Sequence, residues 1–116
     1  MIRFSILPLA AAVLCIAAPI AQAQQHILGD YYAYGRNADG TAYSGTVAIL
    51  GNDNGTVAVN WSVGSTYSGI GVLNGDVLTV EWGAEHPAFY IVMPDGELHG
   101  TWGDGAGLEL LTRTPR

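Results

Sequence analysis

The sequence predicts an all-β protein: an eight-stranded antiparallel up-and-down meander that closes into a small barrel. Tight-turn dipeptides, Asn-Gly or Asp-Gly, divide the chain at 39–40, 54–55, 74–75, 95–96 and 104–105. These pairs tolerate the positive φ angles of hairpin turns. Between them, apolar and polar residues alternate, which is the period of a half-buried strand. Trp61, Trp82 and Trp102 recur about every 20 residues, each near the end of an alternate strand.

The turn residues set the bounds of each strand in order. The predicted strands are 28–36, 42–50, 56–63, 66–73, 76–83, 87–93, 97–103 and 107–113. They are separated by the connections at 37–40, 51–55, 64–65, 74–75, 84–86, 94–96 and 104–106. None of these connections is long enough for the helical crossover that parallel strands need, so every hairpin is antiparallel. We expect a closed barrel because closure removes edge strands, and the chain has no lysine to protect an edge. A two-sheet sandwich accepts the same alternation and stays an alternative.

Alternation also assigns faces to the strands. The inward positions are 43, 45, 47 and 49 in the second strand, 57, 59 and 61 in the third, 78, 80 and 82 in the fifth, and 98, 100 and 102 in the seventh. The opposite positions are mostly Ser, Thr, Asn or Glu, so we expect a polar outer face. A barrel that spans a membrane needs an apolar outer face and strands of ~9–11 residues. The sequence therefore predicts no membrane span in the processed chain.

The first 23 residues differ in composition from the rest. Arg3 precedes an apolar run to Ile20, and Ala21-Gln22-Ala23 has the small-residue pattern of a cleavage site. We interpret residues 1–23 as a secretory signal peptide and residues 24–116 as a single β-barrel domain. Export predicts a periplasmic or secreted protein.

Charge restricts the partners of the processed chain. The full chain has a formal charge of −6, and loss of Arg3 with the leader makes it one unit more negative. Nucleic acids and anionic lipids require a basic patch, so neither is an expected partner. Cys15, the single cysteine, leaves with the leader, so the domain has no disulfide. We expect a monomer that relies on one well-filled core.

Strand direction gathers the aromatic residues at one end of the barrel. Odd strands end, and even strands begin, at this end, and nearly all of them carry an aromatic residue there. The opposite half is aliphatic, with Ile49, Val57, Leu73, Leu78, Met93 and Leu98. The predicted ligand-binding residues of the aromatic mouth are Tyr34, Tyr43, Trp61, Tyr67, Trp82, Tyr90 and Trp102.

Three interpretations of this mouth remain open. The aromatic layer can be packed core, because eight strands enclose a space just wide enough for side chains to fill. It can be a cup for a small apolar or ring-bearing ligand, the usual site in ligand-binding barrels. It can also be part of a protein-binding patch, since Trp and Tyr dominate interface hot spots.

Catalytic and metal sites are not indicated. His26, His86 and His99 lack the local spacing of a zinc ligand set, so no metal and no cofactor are expected. Glu81 and Glu109 are expected to be solvated outward carboxylates. We therefore predict a non-enzymatic protein.

An ordered set of motifs carries a resemblance that covers essentially the whole processed chain. It comprises Gly29-Asp30-Tyr31, the segment 35–40, Tyr43-Ser44-Gly45, Val59-Asn60-Trp61, the segments 67–71, 78–83 and 95–102, and 109–112. The chain resembles a group of small secreted bacterial β-barrel proteins of mostly unknown function, some of which carry the label fibronectin-binding protein. The resemblance implies export and an extracellular partner.

Two looser likenesses concern architecture. Avidins, like lipocalins, are eight-stranded barrels, and the placement of the tryptophans here is similar to that in the avidin ligand cup. Small periplasmic metalloprotease inhibitors are also eight-stranded barrels, and the segment 107–113 looks like their last strand. We expect an exported binding module that recognises an extracellular or envelope partner, protein or small apolar ligand, through the aromatic mouth. The alternative is a periplasmic protease inhibitor.

Overall fold

The computed structural model describes residues 26–115, and within them the chain forms a closed antiparallel barrel of eight strands. The strands are β1 Gly29–Arg36, β2 Ala42–Gly51, β3 Val57–Ser62, β4 Thr66–Asn74, β5 Val77–Glu81, β6 Ala88–Val92, β7 Leu98–Trp102 and β8 Gly107–Arg113. Each strand pairs with the next, and β1 pairs with β8 to close the barrel. The predicted barrel is confirmed, and the sandwich is excluded. The predicted signal peptide and residues 24–25 lie outside the described range.

The predicted turn dipeptides carry the expected geometry. Gly40, Gly55 and Gly96 have φ angles of 88°, 86° and 91°. In each of these turns the preceding Asp or Asn accepts a hydrogen bond, through its side-chain oxygen, from the backbone N–H two residues later. This local bond stabilises the turn conformation. Turn chemistry therefore fixes the hairpin register, and the register decides which side chains point inward.

Two ends of the barrel can be distinguished. The mouth is the end where odd strands finish, with the connections at 37–41, 63–65, 82–87 and 103–106. The base is the opposite end, with the connections at 52–56, 75–76 and 93–97. Inward aliphatic side chains fill the half of the barrel near the base; they include Ile49, Val57, Leu78, Leu98 and Leu111, all fully or almost fully buried.

The chain segment before β1 closes the base. Ile27 is 1% exposed, and its carbonyl accepts a hydrogen bond from the buried Tyr31 hydroxyl at 2.7 Å. The Arg113 guanidinium donates to the carbonyls of Leu28, at 2.6 Å, and His26. It also lies 4.8 Å from the centroid of the Tyr31 ring, a cation–π distance. The Ile27 side chain therefore closes the base of the barrel, and the hydrogen bonds from Arg113 hold the segment around Ile27 in place.

The outer face is more apolar than the sequence predicted. Positions 44, 46, 60, 62, 79, 81 and 99 carry the expected polar side chains. However, β4, β5, β6 and β8 also present outward apolar residues, and those exposed include Ile70, Val72, Val77, Phe89, Ile91 and Leu108. The prediction of a uniformly polar outer face is wrong for these strands. The alternation of β2, β3, β5 and β7 supports that prediction only in part, because Leu50 of β2 and Val77 of β5 are also apolar and exposed. The pattern assigned no faces to β4, β6 and β8. Within residues 26–115 no helix is long and apolar enough to cross a membrane.

Candidate functional site

The mouth contains a cavity of about 220 Å³ whose wall is mostly aromatic. Its lining residues are Asn37, Tyr43, Trp61, Val63, Tyr67, Trp82, Ala88, Tyr90, Trp102 and Glu109. They come from strands all around the barrel and from the mouth connections, so the cavity lies on the barrel axis. We call this cavity, with these residues, the aromatic cup.

Glycines on neighbouring strands create the space that the cup aromatics occupy. Tyr43 pairs with Gly35, Tyr90 with Gly100, and Trp102 with Gly107 in the strand register. In each pair the ring lies directly over the glycine, where a Cβ atom would overlap ring atoms. Directly opposed residues on one face are close together, and in these three pairs the ring lies across its partner, so the partner must lack a side chain. These three glycines therefore fix how the rings lie across the barrel.

Trp82 is the centre of the aromatic cluster. Its ring centroid lies 6.4 Å from that of Trp61, 5.6 Å from Tyr67 and 6.4 Å from Trp102. The contacts with Tyr67 and Trp102 are edge-to-face, the arrangement that the ring quadrupoles favour. The indole N–H donates to the His86 carbonyl at 3.2 Å, which ties the ring to its own connection. Trp82 is half-buried, so part of the ring is open to solvent at the mouth.

Glu109 lies inside the barrel, which corrects its expected place as a solvated outward carboxylate. It is 5% exposed and is the one charged side chain in the buried part of the described chain. The Tyr43 hydroxyl donates to Oε1 at 2.8 Å, the Trp61 indole N–H donates to Oε2 at 3.0 Å, and the Tyr90 hydroxyl also donates to Oε2. A carboxylate only accepts hydrogen bonds, and its three neighbours here all donate. Both oxygens of the Glu109 side chain are therefore satisfied by donors of the cup.

A second layer of hydrogen bonds supports the first. The Trp102 indole N–H donates to the Tyr43 hydroxyl at 3.1 Å, and the Trp61 N–H also approaches the Tyr90 hydroxyl at 3.3 Å. Every buried side-chain polar atom in the described range has a hydrogen-bond partner. A satisfied polar network of this kind restricts side chains to one arrangement. The rings of the cup are thus held in place.

Glu109 perturbs the two tyrosines that bond to it. Burial raises the pKa of Tyr90 well above its ordinary value, and the charge of Glu109 and the hydrogen bond to it raise it further. The pKa of Tyr43 is raised by the same causes in the same order. Each of these effects disfavours a second negative charge beside the carboxylate. Both hydroxyls therefore stay protonated and act as donors at neutral pH.

No cation of the described chain compensates Glu109. No salt bridge to Glu109 forms within residues 26–115, where the ion pairs join His86 to Glu85 and His99 to Glu97. The chain contains no lysine. Arg36 donates to the Gly40 carbonyl at the mouth, and Arg113 clamps the base. Within residues 26–115, the hydrogen bonds to the Glu109 carboxylate come from neutral donors.

Six of the seven predicted site residues line the cup: Tyr43, Trp61, Tyr67, Trp82, Tyr90 and Trp102. Tyr34 does not join them, because it lies on the outer face of β1 and is 51% exposed. Its neighbour Gly35 takes the inward position under the Tyr43 ring. Sequence reasoning missed Glu109, Asn37, Val63 and Ala88 as lining residues of the cup.

The aliphatic half differs from the prediction at one position. Met93 was expected in the interior there, whereas its neighbour Val92 is the residue that packs against the core.

Within residues 26–115 the titratable side chains that hydrogen-bond to Glu109 are Tyr43 and Tyr90, and no histidine or second carboxylate forms a hydrogen bond with it. Glu81 is exposed on the outer face of β5, and His99 lies on the outer face of β7. No group of three His, Cys, Asp or Glu residues that could hold a metal ion occurs within the described range.

No protein-family model, curated protein or solved structure matches this chain. The resemblance to small secreted bacterial barrel proteins therefore stays a prediction.

Proposed function

We propose that this protein is an exported, non-enzymatic binding module that takes a small ligand, or a single side chain of a protein partner, into the aromatic cup. The observation that carries this proposal is the contrast between a base filled to nearly zero exposure and a mouth that retains a cavity of about 220 Å³. Barrels of eight strands can be filled completely by side chains. Here the largest side chains form a wall around a cavity.

The composition of the wall supports a binding role. Ligand sites are typically lined by apolar and aromatic side chains, with a small number of precisely placed polar groups. The cup has this composition, with six aromatic rings and one carboxylate held by three donors. Its volume is below the ~300–1,000 Å³ of sites for drug-sized molecules. The occupant is accordingly a small molecule or one side chain.

The cup is also preorganised. Its rings are fixed by the paired glycines, by edge-to-face contacts and by hydrogen bonds to Glu109. A site that is already ordered loses little side-chain entropy when a ligand enters, which favours affinity for a small ligand.

The protease-inhibitor alternative has less support. Its expected form uses a free N-terminal segment that enters a protease. The end of this segment, residues 26–28, is bound to the base by the Arg113 guanidinium, and Ile27 is buried there. These residues would have to leave the barrel before they could act on a protease.

A cup-filling variant tests the proposal. Ala88 is buried and lines the cavity, so Ala88→Leu places three more carbon atoms inside the cup. Ala58→Leu adds the same atoms on the outer side of β3 and serves as the matched control. Binding of indole, phenol and small alcohols is measured by saturation-transfer NMR.

We expect at least one of these probes to bind the wild type and Ala58→Leu equally, with Ala88→Leu weakening the binding by about 10-fold or more. Failure of all probes to bind the wild type, or equal binding to a folded Ala88→Leu, would contradict the aromatic cup as a ligand site.

A further inference from the structure

The cup combines two sources of negative potential. Glu109 contributes a buried carboxylate that no cation of the described chain neutralises. The aromatic rings contribute their faces, where the π-electron quadrupole is negative. Both features act inside a partly desolvated cavity, where electrostatic interactions are stronger than in water. An anionic ligand would be repelled by this arrangement, whereas a cation would be attracted.

Most polar donors of the cup already form hydrogen bonds, although no partner is seen for the Tyr67 hydroxyl within the described residues. Tyr43, Tyr90 and the Trp61 indole donate to Glu109, and the Trp102 indole donates to the Tyr43 hydroxyl. The Trp82 indole donates to a backbone carbonyl outside the cup. A ligand in the cup would therefore contact aromatic ring faces and the negative charge of Glu109, with few free hydrogen-bond donors. These contacts suit a group that is positively charged and apolar at its surface.

We propose that the aromatic cup binds an alkylated ammonium group, such as a trimethylammonium headgroup, with its methyl groups against Trp61, Trp82 and Trp102 and its charge facing Glu109. The inference rests on the proposed binding function and names its ligand class. Aromatic cages of this kind attract quaternary ammonium ions through cation–π contacts, and such contacts are strongest when the cation is desolvated. An alkylated ammonium is also easier to desolvate than a primary ammonium, because fewer N–H groups lose hydrogen bonds to water.

The carboxylate contributes beyond the rings. Oε1 accepts one hydrogen bond in the described structure, from Tyr43, although a carboxylate oxygen can accept about two. Glu109 lines the cup and gives it an anion that a neutral apolar ligand does not need. A neutral ligand would leave the buried carboxylate without a counter-charge, so the desolvation cost of that charge would not be offset. A cationic ligand gives that charge a partner.

The test compares two probes of the same shape. Choline carries a trimethylammonium group, and 3,3-dimethylbutan-1-ol carries the neutral tert-butyl group in its place. Titrations of the protein purified after export follow tryptophan fluorescence at constant ionic strength. We expect choline to bind about 10-fold more tightly than the neutral alcohol, or more. Equal binding, or tighter binding of the alcohol, would overturn the ammonium proposal and leave the proposed binding function intact.

Variants assign the preference to the cup. Glu109→Gln removes the charge and keeps an oxygen that can accept from Trp61 or Tyr90. Glu81→Gln removes the same charge from an exposed position and is the matched control. We expect Glu109→Gln to weaken choline binding about 10-fold or more and to change binding of the alcohol about twofold or less. A parallel loss in Glu81→Gln would show that only the overall acidity of the protein attracts choline, and would overturn the proposal.

A second variant keeps the test decisive if Glu109→Gln does not fold. Trp82→Leu leaves the hydrogen bonds to Glu109 in place and removes the central ring of the cluster. It should weaken choline binding about 10-fold while the alcohol, which gains little from ring quadrupoles, loses much less. Equal losses for the two probes would contradict the ammonium proposal. Absence of choline binding up to about 10 mM would also overturn it. The Ala88→Leu comparison with neutral aromatic probes then decides the proposed function separately.

The same headgroup occurs on free solutes and on methylated lysine side chains. A peptide with one trimethyl-lysine is therefore titrated beside choline, with the unmethylated peptide as its control. Binding of the trimethylated peptide about 10-fold more tightly than choline would support the chemistry and assign it to a protein partner. Similar affinities would support it and favour a free solute. Equal binding of the methylated and unmethylated peptides would overturn it.

Discussion

The two ends of this barrel differ in how their interior is filled. At the base, Ile27 enters the barrel and is 1% exposed, and Arg113 bonds to the chain on either side of it. At the mouth, six aromatic rings surround a cavity of about 220 Å³, and the Glu109 carboxylate lines it. The base is built for stability, because its apolar groups are removed from water and its polar groups are paired within the protein. The mouth retains a cavity of about 220 Å³ that its side chains do not fill, and the proposed binding role would explain this difference from the base.

A buried tyrosine at each end shows the same difference. Tyr31 at the base faces the cation Arg113, and its hydroxyl donates to the Ile27 carbonyl. Tyr90 at the mouth faces the anion Glu109 and donates to it. Burial raises the pKa of both hydroxyls, but Arg113 lowers the pKa of Tyr31 whereas Glu109 raises that of Tyr90. The electrostatic field thus reverses its sign between the two ends.

The largest expected difference between the ends is in stability after valine truncation. Val57→Ala removes two methyl groups from a filled part of the core, where the side chain is 1% exposed. The loss should be about 2 kcal/mol or more, because the transfer term is increased by the cavity that forms. Val63→Ala makes the same change beside the existing cavity, at a half-buried position, and should cost about 1 kcal/mol or less. Urea unfolding of both variants gives the two free energies.

Equal losses at the two positions would show that the mouth is packed as tightly as the base. In that case the aromatic layer would be ordinary core, and the function would have to be sought on the loops or the outer face.

A smaller difference is expected in alkaline stability. The folded state keeps Tyr90 neutral, so its contribution to stability is complete below the ordinary tyrosine pKa of about 10 and is lost as the pH rises through the raised folded value. By pH 11 this loss amounts to about 1.4 kcal/mol for one such group. Tyr90→Phe should therefore reduce the decrease in unfolding free energy between pH 9 and pH 11. Tyr31→Phe should reduce it less, because Arg113 opposes the effect of burial there.

The pH dependence is the relevant quantity, because each substitution also removes a hydrogen bond and lowers stability at every pH. If Tyr31→Phe and Tyr90→Phe change the decrease in unfolding free energy between pH 9 and pH 11 equally, this result would contradict opposite electrostatic fields at the two ends.

The strands and the base were predictable because several local features agree there. The Asn-Gly and Asp-Gly pairs place the turns, and strands such as β3, with Val57, Val59 and Trp61 inward, alternate without interruption. Turn chemistry and alternation together determine the register, so the aliphatic core follows. Six of the predicted cup residues follow from the same register.

The face of a strand could not be predicted where apolar residues occupy both sides. In β8, Leu108 and Leu110 alternate with Glu109 and Leu111, so the pattern does not say which set is buried. The usual preference of carboxylates for water then favoured the wrong face for Glu109. In β1, tyrosines at 31, 32 and 34 create the same ambiguity, and Tyr34 proved to be outward. A better indicator was the glycine opposite each ring, since Gly107 under Trp102 places Glu109 on the inner face.

The most direct measurement of the central claim is a two-dimensional ¹H–¹⁵N NMR titration with choline and its neutral analogue. The indole N–H signals of Trp61, Trp82 and Trp102 report on the cup, and backbone signals of Leu78 and Leu98 report on the base. The account predicts that a binding probe shifts all three indole signals and leaves the base signals unchanged. Shifts confined to the base, or to outer-face residues such as Phe89 and Ile91, would contradict it.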